Sequence, residues 1–120
     1  MGIKKEVGHF FAAARNSWSG LRDISKETAF RQELIGGVVH YTLIFILDIP
    51  LWAKVVLGVL WPIVLAAELI NSAVEQIVDH ISPEWNEFAK HAKDFCSAAV
   101  GLIIATTVGI WISVIVKYLI

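Results

Sequence analysis

Between Lys4 and Ser25 the apolar residues Val7, Phe10, Phe11, Ala14, Trp18 and Leu21 recur at steps of three and four. That period marks one face of an α-helix, with Lys5, Glu6, His9, Asn16, Arg22 and Asp23 left for the wetter sides. Such a helix can lie in a membrane interface with its rings down, or pack as an ordinary amphipathic helix on protein. The apolar stretches that follow favour the interface.

The next segment, about 29–47, would reach about 28 Å as a helix, close to one hydrocarbon thickness. Asp48, Ile49 and Pro50 then predict a tight turn, with Pro50 placed to begin another helix. A second span over about 51–81 is longer than a bilayer requires. Pro62 should kink it by freeing the carbonyl of Gly58. Ser82 and Pro83 read as an N-cap and first helical residue, opening a polar connection through Asp94. The third span, about 95–118, is uncharged from Phe95 to Val116 and is the least ambiguous. The pattern therefore predicts an all-α membrane protein in a single domain, residues 1–120. It has an N-terminal amphipathic surface helix (about 4–25) and three transmembrane helices.

Composition supports the bilayer as the second solvent. The chain has 120 residues, 57% of them hydrophobic and 18% charged, with a mean hydropathy of +0.67. A chain this small cannot bury so much apolar surface in one aqueous core. The net charge of −1 gives no basic field for nucleic acid. The single cysteine, Cys96, excludes an intrachain disulfide and a cysteine-built metal site. The first thirty residues are charged throughout and read as no secretory signal. Lys4, Lys5, Arg15, Arg22, Lys26 and Arg31 precede the first span, and Lys90 and Lys93 follow the second. The other side has only Lys54 and Lys117, so the positive-inside rule puts the N-terminus and the 82–94 connection in the cytoplasm.

The candidate chemistry lies on the second span. At helical pitch, Glu68, Asn71, Ser72, Glu75 and Asp79 fall within an arc of roughly 100°. A charged side chain deep in a bilayer costs roughly 2.5–3.5 kcal/mol even on the gentler insertion scale. The stripe should therefore face a polar cavity, a metal or a partner helix. Interhelical hydrogen bonds or interfacial water would account for Ser72 and Asp79 equally well. They account poorly for Glu68, Asn71 and Glu75. Before the first span, Glu27 and Arg31 sit four apart, as an ordinary helical ion pair would. Glu27 also lies at the depth where the stripe should surface, so Glu27 and Glu75 could hold a hard divalent cation such as magnesium. Lys93 could offer a point charge to phosphate or simply snorkel to the interface.

No GxxxxGK[ST] loop, GxGxxG turn, or HRD or DFG triplet occurs. Gly36-Gly37 reads as a close helix contact, and His40 as a hydrogen-bonded interior residue.

At Ser17-Trp18-Ser19-Gly20-Leu21, Glu27-Thr28-Ala29-Phe30-Arg31-Gln32-Glu33, Glu68-Leu69-Ile70-Asn71-Ser72-Ala73-Val74-Glu75, Val78-Asp79 and Ala92-Lys93-Asp94 with Ser97-Ala98-Ala99-Val100, the chain resembles the prokaryotic diacylglycerol kinase family. Order and spacing hold from about residue 12 to 116. The resemblance implies a homotrimer in the bacterial inner membrane, phosphorylating diacylglycerol with ATP and Mg2+ at sites shared between chains. It implies Glu68 as general base and Glu27 and Glu75 as the magnesium carboxylates. Ser17, Asn71, Lys93 and Asp94 would line the nucleotide site together with those two carboxylates. His9, Ser17, Trp18 and Arg31, with Glu68, would meet the lipid acceptor. The chain departs from well-known members at His9, Asn16 and Cys96, and its linker before Glu27 is one residue shorter. Undecaprenol is the alternative acceptor within the family. A small proton- or cation-coupled transporter is the alternative outside it, though that reading leaves Lys93 and Asp94 without a role.

Overall fold

A computed structural model describes residues 2–120. It contains four α-helices: α1 Gly2–Ile24, α2 Thr28–Ile46, α3 Leu51–Ile81 and α4 Glu87–Tyr118. The chain divides into two compact units, one through Gln32 and one from Glu33 to Ile120.

In the N-terminal unit, α1 follows its amphipathic pattern. Phe10, Phe11 and Trp18 are exposed, while Ile24 is buried. The helix ends where Ser25 N donates to Leu21 O, and Glu27 N turns back to Ile24 O at 2.9 Å. Glu27 then takes the N-cap position of α2, its carbonyl accepting from Arg31 N at 3.1 Å.

In the second unit the turn after α2 is tight, with Ile49 N donating to Leu47 O. Pro50, in extended conformation, caps α3, and its carbonyl accepts from Ala53 N and Lys54 N. The buried residues of α3 are Ala53, Leu57, Val64, Glu68, Asn71 and Ser72. They share one face, apolar up to Val64 and polar beyond it. The closest-packed pair of helices is α3 and α4, and α4 buries Val100, Thr107 and Val114 in a seam of seven-residue steps. The apolar core gathers Ile44, Ile49, Ala53, Leu57 and Val114, with Tyr41 and Trp111 packed on it.

One expectation is corrected. Ser82 does not open a helix; its N–H donates to Val78 O at 2.8 Å and closes α3. The N-cap of the next helix is Asn86, whose side-chain oxygen accepts from Ala89 N at 2.9 Å. The polar run from Glu87 to Asp94 is therefore the first part of α4, stabilised by a Lys90–Asp94 ion pair at i,i+4.

Among the described residues, α3 and α4 are long and apolar enough to cross a bilayer. Their outward faces, and that of α2, are apolar and open: Phe45 is 79% exposed, Ile70 64% and Leu102 71%. The 19 residues of α2 include Arg31 and Glu33 near its start, which shortens its apolar part.

Gly36 and Gly37 make the close contact their pattern suggested. A Cβ on Gly37 would lie 2.5 Å from Trp61 Nε1, and one on Gly36 3.3 Å from the same ring. That ring is stacked on His40 and cannot swing aside freely. Gly37→Ala is therefore expected to destabilise the fold by about 1–3 kcal/mol, more than Gly36→Ala. Unfolding in mild detergent measures the difference, and equal effects would contradict the contact.

Candidate functional site

The polar half of the α3 face descends from buried to wet. Glu68 and Asn71 are each 8% exposed and Ser72 4%, Glu75 is half-buried, and Asp79 is exposed. Helical spacing alone places them in line, since positions three and four apart stack on one side. Asn71 Nδ2 donates to Glu75 Oε1 at 3.3 Å, so the amide holds the carboxylate one turn away. Asn71 Oδ1 is buried with no hydrogen-bond partner. A buried amide oxygen left open in this way is an acceptor awaiting a donor or a cation.

Opposite this stripe stands a residue to which sequence reasoning assigned no role. Glu33, on α2, has its carboxyl within hydrogen-bonding reach of the Glu68 carboxyl. Its Oε2 is buried and unpartnered. Part of the signal was present in the hairpin: counting equal lengths from the turn at Ile49 brings Glu33 level with Leu65, one helical turn before Glu68.

Farther along, the end of α3 and the first turns of α4 enclose a cleft of about 340 Å³ lined by Asp79, Ser82, Trp85, Lys90, Lys93 and Asp94. Lys93 Nζ meets Asp79 Oδ1 at 2.5 Å across the two helices. Asp94 Oδ2 accepts from Lys90 Nζ at 2.6 Å. Both pairs are exposed, so each gains modest Coulomb energy and can be exchanged for another ion. Asp79 and Lys90 are thus the local counter-ions of two predicted site residues.

The remaining predicted residues belong to the N-terminal unit. His9, Ser17 and Trp18 are exposed on α1, and Ser17 Oγ donates to Ala13 O at 3.0 Å. Glu27 caps α2, and Arg31 is exposed on its first turn.

Among the described residues no three His, Cys, Asp or Glu side chains gather into a closed metal cage. Glu75, steadied by Asn71, together with the open Asn71 Oδ1 offers hard oxygen donors and few of them. That donor set fits magnesium, which takes one or two carboxylates and completes its shell with water and phosphate oxygens.

The profile of the family described as "Prokaryotic diacylglycerol kinase" matches residues 15–115. A protein named diacylglycerol kinase from Sinorhizobium sp is 38% identical over 109 residues, covering 88% of this chain and 80% of its own. One of the same name from Escherichia coli (strain K12) is 38% identical over 100 residues, 82% of each chain. Another, from Haemophilus influenzae, is 36% identical over 109 residues, 86% of this chain and 88% of its own. The match runs from α1 to α4 and includes the α3 stripe and the Lys93-Asp94 pair: this membrane protein belongs to the prokaryotic diacylglycerol kinase family.

Proposed function

We propose that the chain transfers the γ-phosphoryl group of ATP to the hydroxyl of diacylglycerol at the cytoplasmic face of the inner membrane, releasing ADP and phosphatidic acid. The observation that carries this reading is the buried polar face of α3, where Glu68 and Asn71 lie beside a Glu75 carboxylate that Asn71 holds. In this account α1 lies in the interface with the N-terminus cytoplasmic, α2 joins α3 and α4 in crossing the membrane, and three copies assemble. A single chain leaves much of its apolar surface uncovered, and neighbouring subunits would shelter the stripe from lipid.

Phosphoryl transfer asks mainly for positioning and charge neutralisation. Glu68 accepts the proton of the acceptor hydroxyl as that oxygen bonds to the γ-phosphorus. Glu33, against Glu68, limits where the carboxylate can point. Lys93 exchanges Asp79 for a phosphate oxygen, and Asp94 and Asn71 line the nucleotide. Ser17 lies where acceptor and nucleotide meet, while His9, Trp18 and Arg31 hold the acceptor's head end. Glu27 and Glu75 would hold Mg2+, which when bound offsets the triphosphate charge.

Diacylglycerol, rather than undecaprenol, is the proposed acceptor because its ester carbonyls lie near its hydroxyl. They can accept hydrogen bonds that a plain prenol cannot. The relatives compared above carry the diacylglycerol kinase name. In a competition at equal mole fraction in one bilayer, diacylglycerol is expected to take most of the label from [γ-32P]ATP. Preferential labelling of undecaprenol would overturn the acceptor while sparing the transfer chemistry.

A further inference from the structure

Pro62 stands inside α3 and has no N–H to give the carbonyl of Gly58, one turn earlier. Within a bilayer a carbonyl freed in this way needs a donor from a neighbouring element. That donor comes from α2: the Tyr41 hydroxyl donates to Gly58 O at 2.8 Å. The adjoining carbonyl, Leu57 O, lies 2.8 Å from His40 Nε2. His40 is 5% exposed, and its other ring nitrogen, Nδ1, accepts from Trp111 Nε1 of α4 at 3.1 Å. A carbonyl can only accept and an indole N–H can only donate. The imidazole therefore carries its hydrogen on Nε2 and leaves Nδ1 bare, a single tautomer joining three helices.

The contacts between α2 and α3 are otherwise sparse, since the closely packed pair is α3 with α4. Besides the Trp61 ring over Gly36 and Gly37, the polar links are His40 and Tyr41 at one level and Glu33 with Glu68 at another. Both levels lie on the same two helices, with Pro62 between Gly58 and Glu68. The course of α3 past Pro62 decides where Glu68 and Asn71 stand.

We propose that Tyr41 and His40 are positioning residues for the reaction. By serving the carbonyls beside the Pro62 interruption, they fix the later half of α3 and so the place of Glu68 opposite Glu33. This rests on the kinase reading above. Neither residue touches the reacting atoms.

The test is a cycle of Tyr41→Phe with Pro62→Ala in the full chain, read by the unfolding midpoint and by steady-state kinetics. With Pro62 present, Tyr41→Phe is expected to lower the midpoint and reduce kcat roughly three- to tenfold, the size of one net hydrogen bond, with the KM for MgATP held within about twofold. With Pro62→Ala, the restored backbone N–H can serve Gly58, and Tyr41→Phe should then add little to either readout. Equal effects of Tyr41→Phe in both backgrounds would overturn the clamp. A loss confined to the midpoint, with kcat unchanged, would overturn the positioning role. The midpoint cycle needs no phosphoryl transfer, so its failure is distinguishable from failure of the kinase reading. His40→Gln, which keeps a donor and an acceptor, should retain more kcat than His40→Phe, which keeps only a ring. The reverse order would remove His40 from the proposal.

Discussion

Glu75→Gln is expected to lower phosphoryl transfer by at least about a hundredfold while leaving the proposed trimer assembled. The amide has nearly the volume of the carboxylate, so packing along α3 is preserved. Asn71 Nδ2 can still donate to the side-chain oxygen that remains. What disappears is the negative charge that makes a carboxylate a stronger ligand for a hard cation than a neutral amide. Kinetics across a magnesium titration, with native mass spectrometry on the same sample, separate the two outcomes. Near-normal turnover at saturating magnesium would count decisively against Glu75 as a metal carboxylate. Loss of the oligomer together with activity would mean that the residue holds the assembly together instead.

Glu68→Gln carries the second large effect, a fall in kcat of about 10²–10⁴, the range for losing a positioned general base. An amide cannot accept the proton of the lipid hydroxyl. Nucleotide binding should survive, because in this account Glu68 meets the acceptor while Asn71, Glu75, Lys93 and Asp94 meet ATP. Equilibrium binding of MgATP to the variant measures the distinction. If binding vanishes with activity, Glu68 belongs to the nucleotide site and the base must be sought elsewhere. Glu33 is then the first residue to examine, being the carboxyl that faces Glu68.

The parts of the fold that were legible in the sequence are those governed by local rules. The helix expected over 51–81 is the observed α3, because Pro50 stops one helix and permits the next, and the apolar and polar positions share one period. The start of α4 was misplaced for an equally local reason. Ser82-Pro83 and Asn86-Glu87 both resemble helix starts, and only the observed bonds, Ser82 N to Val78 O and Ala89 N to Asn86 Oδ1, rank them. Long-range pairings were legible by half. Pro62 announced that Gly58 O would lack its usual donor, but nothing local named Tyr41 as the replacement. Likewise the cost of burying Glu68 called for a facing partner. That the partner includes a second carboxyl, Glu33, follows only from the register of the α2–α3 hairpin. Lys93 could be read as a phosphate ligand or as a snorkelling side chain; its bond to Asp79 adds a third possibility, a counter-ion to be displaced.

The central claim is tested most directly by following the γ-phosphoryl group itself. Purified full-length protein in bilayers containing diacylglycerol would be given [γ-32P]ATP and magnesium, and the lipid extracted over time. The account predicts label accumulating in phosphatidic acid in proportion to ADP formed, with little free phosphate released. No labelled lipid from diacylglycerol or any other alcohol in a panel, with the protein folded and oligomeric, would contradict it.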